Sequence, residues 1–401
     1  MVSPSVIARA SALLPWLAMA CATVPAARPA RSHSTPLRAP TPAAPTPARV
    51  APPAPVSPFA ALPGWGDDTV AEVLPAWRRT CDRLARAPES RPVGHDGAYG
   101  TVADWRATCA AIPSPDVDHA AAREYFERNF VPVAISDHGE ASGLFTGYYE
   151  PLLHGARVRS PRYGVPLYPR PRDLMSGARG TGRVVGGRWR RYWTRAEIAR
   201  GSLRRGVRPL VWVDDAVEAF FLEIQGSGRV VFEDGSSVFL NFAVGNGHPY
   251  VPIGRVLIER RALAREQVSL QSIRAWLAAH PREAQAVMNT NPSYVFFRES
   301  DDGGSHGAEG VTLTPGRSLA VDLRFIPLGV PLFVDVAALE GVGPIRRLVV
   351  AQDTGGAIRG AVRGDLFWGS GPDAYDRAGR MRQRGRYWML VPRAVAGRLA
   401  R

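Results

Sequence analysis

The chain has 401 residues, 45% hydrophobic and 21% charged, enough for one large domain or two medium ones with real cores. Basic residues exceed acidic ones by 50 − 36 = +14, and every basic residue is arginine. The excess suits an acidic partner such as nucleic acid, anionic lipid or an acidic polymer, yet a coding bias toward arginine, alanine, glycine and proline produces the same pattern, so charge decides little.

Arg9 precedes an apolar run, residues 10–20, that ends at Cys21. A positive start, a short apolar stretch and small exit residues describe a secretory signal, and Pro15 makes the run too broken to span a bilayer. Leu17-Ala18-Met19-Ala20-Cys21 resembles the lipobox of bacterial lipoproteins, which implies lipidation at Cys21, although Ala18 stands where Leu or Val is commoner. Ala18-Met19-Ala20 also suits an ordinary cleavage site. Residues 22–58 are mostly Ala, Pro, Thr, Ser and Arg, too poor in apolar surface to fold, and are expected as an extended tether. At ~3.1 Å per residue its reach is at most on the order of 100 Å. Export permits a disulfide between Cys81 and Cys109; two ordinary buried thiols are the alternative.

Folded sequence is expected from Phe59. Helical spacing runs over 69–84 and 117–130, followed by strands around Val131-Ile135 and Leu144-Tyr149. Residues 157–208, rich in Arg, Gly and Pro, read as loops. Strands are expected over 217–225 and 229–233, then a tight turn at Asp234-Gly235 into a strand over 236–244. Helices follow over 253–261 and 269–279, then short strands over 294–298, 319–323, 331–336 and 348–352. The fold class is mainly β, barrel-like, with a few helices.

Seven segments in order resemble the membrane-bound lytic murein transglycosylase A family. They are Phe145-Thr146-Gly147-Tyr148-Tyr149-Glu150-Pro151, Phe221-Leu222-Glu223-Ile224-Gln225-Gly226-Ser227-Gly228, Val244-Gly245-Asn246-Gly247-His248 and Asn291-Pro292-Ser293-Tyr294-Val295-Phe296-Phe297, then Ser318-Leu319-Ala320-Val321-Asp322, Asp353-Thr354-Gly355-Gly356-Ala357-Ile358 and Asp365-Leu366-Phe367-Trp368-Gly369. The resemblance implies a double-psi β-barrel built from both ends of the chain, residues 59–151 plus 291–401, with a second β-domain inserted at 152–290. The C-terminal part resembles a module named for three aspartates, here Asp322, Asp353 and Asp365. It further implies cleavage of peptidoglycan glycan strands between N-acetylmuramic acid and N-acetylglucosamine, leaving a 1,6-anhydromuramoyl end. The expected partners are those strands and, through an acylated Cys21, the outer membrane. The implied location is the periplasmic face of the outer membrane or the periplasm, the protein acting as a monomer, without a cofactor and without nucleic acid.

Breaking a glycosidic bond needs a proton for the leaving oxygen and support for an oxocarbenium-like centre. Where the sugar's own C6 hydroxyl attacks, one carboxyl serves first as acid and then as base. Asp365, beside Leu366, Phe367 and Trp368, is the expected acid/base, with Asp353 tuning it; the reverse assignment is the rival. Tyr148, Tyr149 and Trp368 are candidate sugar platforms, and Glu150, Gln225, Ser227, Asn246, His248 and Asp322 candidate polar contacts. Core packing for the aromatics and turn formation beside glycine for the aspartates are the competing readings. The eight histidines are scattered, without a His-x-x-x-His pair, so no metal site is expected, nor a serine hydrolase. Two other functions stay open: a hydrolase using Asp353 and Asp365 with water, and a cell-wall binder without activity.

Overall fold

The computed structural model describes residues 56–94, 97–203, 206–300 and 303–399. The signal-like segment, Cys21 and nearly all of the expected tether lie outside them. Val56 bridges Val133, so the described chain is already paired with a strand slightly before Phe59.

Three helices come first: α1 (Leu74–Ala85), α2 (Val102–Ala110) and α3 (His119–Asn129). Pro75 sits in the first turn of α1, where its missing N–H is no loss. Thr101 and Asp104 form a capping box on α2, and Asp118 caps α3 by accepting the Ala121 N–H. Their apolar faces (Trp77, Trp105, Tyr125 and Phe126) join Phe130 in the main core. A disulfide joins Cys81 of α1 to Cys109 of α2, with Cα atoms 5.5 Å apart.

The strands that follow are β1 (Phe130–Ala134), β2 (Gly143–Glu150), β3 (Leu152–Ala156), β4 (Val165–Leu167), β5 (Met175–Gly177), β6 (Gly180–Val185) and β7 (Arg188–Arg191). Then come α4 (Arg195–Ala199), β8 (Val211–Val213), α5 (Ala216–Gln225), β9 (Ser227–Val231), β10 (Ser237–Gly245), α6 (Ile253–Glu259), α7 (Leu270–Ala279), α8 (Pro281–Met288) and β11 (Val295–Ser300). The chain ends with β12 (Ser318–Val321), β13 (Pro331–Leu339), β14 (Gly343–Asp353), β15 (Arg363–Ser370), α9 (Pro372–Arg380), β16 (Arg382–Pro392) and α10 (Arg393–Leu399).

Strands β2, β16, β13, β14, β12 and β15 pair in that order, and β15 returns to β2, closing a six-stranded barrel; β1 adds to β16 from outside. The pairs β12–β14 and β2–β15 are parallel and the rest antiparallel. One barrel strand thus precedes the inserted segment and five follow it, as the double-psi expectation requires. Phe145, Leu319, Val321, Leu332, Leu366 and Met389 fill the interior. A second sheet, β11-β10-β9-β3-β8-β4, has its own core around Leu153, Leu222, Val230 and Leu240.

One expectation is corrected. Residues 217–225 form a helix, not a strand. The run is apolar on every side because Ala219 and Leu222 enter the sheet's core while Phe220 and Phe221 enter a second cluster with Leu257 and Leu277, and such a run carries no period to separate helix from strand. Asp215 accepts the Val217 and Glu218 N–H groups, and Gly226 at φ 84° ends the helix. Residues 157–208 lie mostly outside helices and strands, as expected. The regular elements among them are β4, α4 and the three-stranded ribbon β5–β7, in which Gly186-Gly187 turns β6 into β7.

Candidate active site

Side chains alternate along a strand, so residues two apart share a face. In β2, β12 and β15 one face is Phe145, Leu319, Val321, Leu366 and Trp368, inside the barrel. The opposite face carries Thr146, Tyr148, Ala320, Asp365 and Phe367, and there Tyr148, Ala320 and Phe367 pack with Leu313 and Ile358. Across the strands the register sets Thr146 beside Asp365, Asp365 beside Ala320, and Ala320 beside Asp353. Two carboxylates therefore flank one methyl group on the barrel's outer wall. Two strand spacings separate their backbones by about 10 Å, and Tyr148 reaches across the same face to Asp353.

Asp365 Oδ1 accepts the Thr146 hydroxyl at 2.5 Å, and that hydroxyl oxygen accepts an N–H of Arg363 at 2.7 Å. A guanidinium can only donate. Thr146 is thereby obliged to send its single proton to Asp365 Oδ1, and among the described residues no donor reaches Oδ2. Asp353 is held more completely. Its Oδ1 accepts the Ala308 and Thr354 N–H groups, and its Oδ2 accepts the Tyr148 hydroxyl, each at 2.9 Å. Burial raises the Asp353 carboxyl to about 6; the three donors pull it down and the Asp365 charge pushes it up. Burial also raises Asp365, against the opposing pull of Arg363 and Thr146.

Behind this row lies Glu309, next in sequence to Ala308. Its side chain is wholly buried, with Oε2 accepting the Thr80 hydroxyl of α1 at 2.9 Å and Arg83 3.8 Å from Oε1. Burial lifts its carboxyl from 4.5 to about 7. The protonated form stabilises the fold fully below about pH 4.5, and that contribution is lost as pH rises through about 7. Glu309→Gln, always neutral, should be more stable than the parent by roughly 3 kcal/mol near pH 8 and equal to it near pH 4. Identical melting curves at both pH values would refute this.

The other candidates separate by what holds them. Tyr148 is part of the row. Asp322 is 1% exposed. Burial alone would raise its carboxyl, but Arg324 and the Gly360 and Arg324 N–H groups hold it below the usual range, and it ties the loop after β14 to β12. Trp368 faces the core, its indole N–H directed at Met381 Sδ at 3.4 Å, so it offers no open ring face. Asn246 is fully buried and fully bonded, donating to the Trp193 and Pro292 carbonyls and accepting the His248 and Tyr294 N–H groups. Gln225 accepts the Tyr149 N–H, while the Tyr149 hydroxyl accepts from Arg274, so both join the inserted segment to β2. Ser227 is buried at the start of β9, and Glu150, also buried, accepts the Ser305 hydroxyl at 2.8 Å. His248 is half-buried with Nε2 on the Tyr192 carbonyl. Near the row, Gly356 lies within van der Waals reach of Tyr250 from the inserted segment.

Sequence reasoning missed the roles of Thr146 and Arg363. Both were accessible to it: Arg363 and Thr146 stand two residues from Asp365 and Tyr148, on the same strand faces. It also passed over Gly303-Gly304-Ser305-His306-Gly307, which has the spacing of a serine nucleophile elbow. Ser305 is 3% exposed and gives its proton to Glu150, which is no arrangement for a nucleophile.

Residues 144–298 match the MltA specific insert domain and residues 317–391 the 3D domain. The chain is 36% identical over 260 residues to membrane-bound lytic murein transglycosylase A of Escherichia coli K12, covering 63% of this chain and 67% of that one. A membrane-bound lytic murein transglycosylase from Agrobacterium tumefaciens superposes with a TM-score of 0.78 at 34% identity, over 86% of this chain and 99% of that one. The chain belongs to the membrane-bound lytic murein transglycosylase A family. E. coli MltA solved with bound chitohexaose matches at a TM-score of 0.61 and 29% identity, over 85% of this chain and 94% of that one. As a lytic murein transglycosylase A, the protein carries its Asp353–Asp365 row within the 3D domain, while Thr146 and Tyr148 come from the strand where the match to the insert domain begins.

Proposed function

We propose that this peptidoglycan-degrading enzyme cuts the β-1,4 bond between N-acetylmuramic acid and N-acetylglucosamine with Asp365 as sole acid and base. The observation that carries the assignment is the free Oδ2 of Asp365: Asp353 has both oxygens engaged by protein donors, whereas Asp365 keeps one for a substrate. Asp365 Oδ2 gives its proton to the glycosidic oxygen as the C1–O bond breaks. It then takes the proton of the C6 hydroxyl as that oxygen bonds to C1, closing the anhydro ring. The proton count closes and no water is consumed. Because the attack is intramolecular, holding the sugar in the reacting posture supplies much of the rate. The chitohexaose complex of the E. coli relative, a β-1,4 chain of N-acetylated sugars, supports a substrate of this class. Tyr148, through its hydroxyl on Asp353, and His248 remain candidate contacts. Action in the periplasm, with Cys21 as a lipid anchor, accords with the membrane-bound relatives.

Digestion of purified peptidoglycan in heavy-oxygen water tests the reaction. Unlabelled anhydro ends are expected; labelled reducing ends would mean a hydrolase, and no soluble fragments a binder. A second test concerns the pair. With Asp353 ionised beside it, Asp365 holds its proton to higher pH. Asp353→Asn removes that charge, so activity should persist at a reduced level and its alkaline limb should move to lower pH. An unmoved limb would refute the coupling of the two carboxyls, and a dead Asp353→Asn variant beside an active Asp365→Asn variant would transfer the acid's role to Asp353.

A further inference from the structure

The ribbon β5–β7 has no part in the row of carboxylates, and its surface is unusual. Register places Met175, Gly182, Val184, Trp189 and Arg191 on one face. The Trp189 ring covers Gly182 so closely that a Cβ there would lie 2.7 Å from the indole. The other face meets the body of the protein at its inner end, where the Arg183 guanidinium stacks on Trp193 at 3.5 Å and Thr181 abuts Gly247; at the ribbon's tip the same face leaves Val185, Arg188 and Arg190 exposed. The first face and the tip thus carry the ribbon's exposed apolar side chains. Met175, Val184 and Val185 are 48%, 52% and 47% exposed. They are three of the nine exposed large apolar side chains among the described residues, gathered within one short ribbon.

Charge surrounds these side chains. Residues 174–195 contain six arginines and no acidic residue. Arg179, Arg188, Arg190 and Arg191 are exposed. Among the described residues none of the four has an ion-pair partner, while Arg195 is paired with the buried Glu223. A wall polymer offers hydroxyls and the carboxylates of its peptide stems, which answer the arginines but leave exposed valines and a methionine without partners. A lipid surface offers phosphates that match the guanidinium fork and an acyl boundary that accepts short apolar side chains.

We propose that the β5–β7 ribbon is a docking surface for an anionic phospholipid bilayer, its arginines on the headgroup phosphates and Val184 and Val185 at the acyl boundary. This contact is separate from any lipid on Cys21 and from the carboxylate row, and it holds the catalytic body against the membrane. The full chain carrying Cys21→Ser removes any lipid anchor and is mixed with phosphatidylcholine vesicles, with or without phosphatidylglycerol. It should sediment with the anionic vesicles only, less so as salt is added. Replacing Arg188, Arg190 and Arg191 with Ser should weaken partitioning about a hundredfold, as three charges near an anionic surface require. Val184→Ser with Val185→Ser should weaken it several-fold at unchanged salt dependence. Peptidoglycan cleavage in solution should be the same in all of these variants, so a failure here is distinguishable from a failure of the proposed reaction. The proposal is overturned by equal binding to neutral vesicles, by no binding, or by either variant partitioning as the parent does. An arginine variant that stops pelleting with peptidoglycan would overturn it too, by assigning the ribbon to the wall polymer.

Discussion

Asp365→Asn should lower the release of soluble fragments from purified peptidoglycan by a factor of about 10²–10⁴, the usual contribution of a positioned acid/base. Asparagine fills the same volume and still accepts the Thr146 hydroxyl through its amide oxygen, so the network of Arg363, Thr146 and residue 365 keeps its form. What is lost is the exchangeable proton at the second position of the carboxyl. The variant should melt with the parent and still pellet with insoluble peptidoglycan. Retained lysis would remove Asp365 from the chemistry. Lost pelleting would show that the carboxylate binds substrate rather than handling its proton.

The second large effect concerns stability. The bond between Cys81 and Cys109 closes a loop with a sequence separation of 28. Constraining that loop in the unfolded chain is worth about 3–4 kcal/mol by the chain-entropy account. A Cys81→Ser/Cys109→Ser double variant should therefore melt roughly 5–10 °C lower. The bond joins α1 to α2, and α1 also supplies Thr80 to Glu309, the residue following the amide that holds Asp353. Loosening α1 should thus cost activity at temperatures where the fold survives. Free thiols at Cys81 and Cys109 in the denatured, unreduced parent, or a double variant that melts with it, would sink this expectation.

Much of the barrel was legible because its strands are short apolar runs ending in turn residues, as at residues 319–323 and 348–352. β15 and β16 were not read as strands. Arg363 and Asp365 interrupt the apolar pattern of one, and Arg382, Arg384 and Arg386 that of the other, although each has its alternate residues buried in the barrel. The functional aspartates drew notice for the same reason the strand did not: a carboxylate in an otherwise buried run is costly and invites explanation. The error at residues 217–225 has the opposite origin. A helix buried on all sides shows no polar stripe, and its cap at Asp215 and terminator at Gly226 read equally well as turns. Trp368 was taken for a sugar platform since aromatic residues near catalytic ones commonly are; strand alternation, counted from Asp365, places it on the interior face.

The hydroxyl that bonds Asp365 and the aspartate itself lie 219 positions apart, on neighbouring strands from opposite ends of the barrel's sequence. A polypeptide cut short of β15 lacks the proposed acid, and one cut short of β16 has an open cylinder. Competence to dissolve a wall is thereby withheld from every partial product of synthesis, and contacts this distant in sequence make assembly slow.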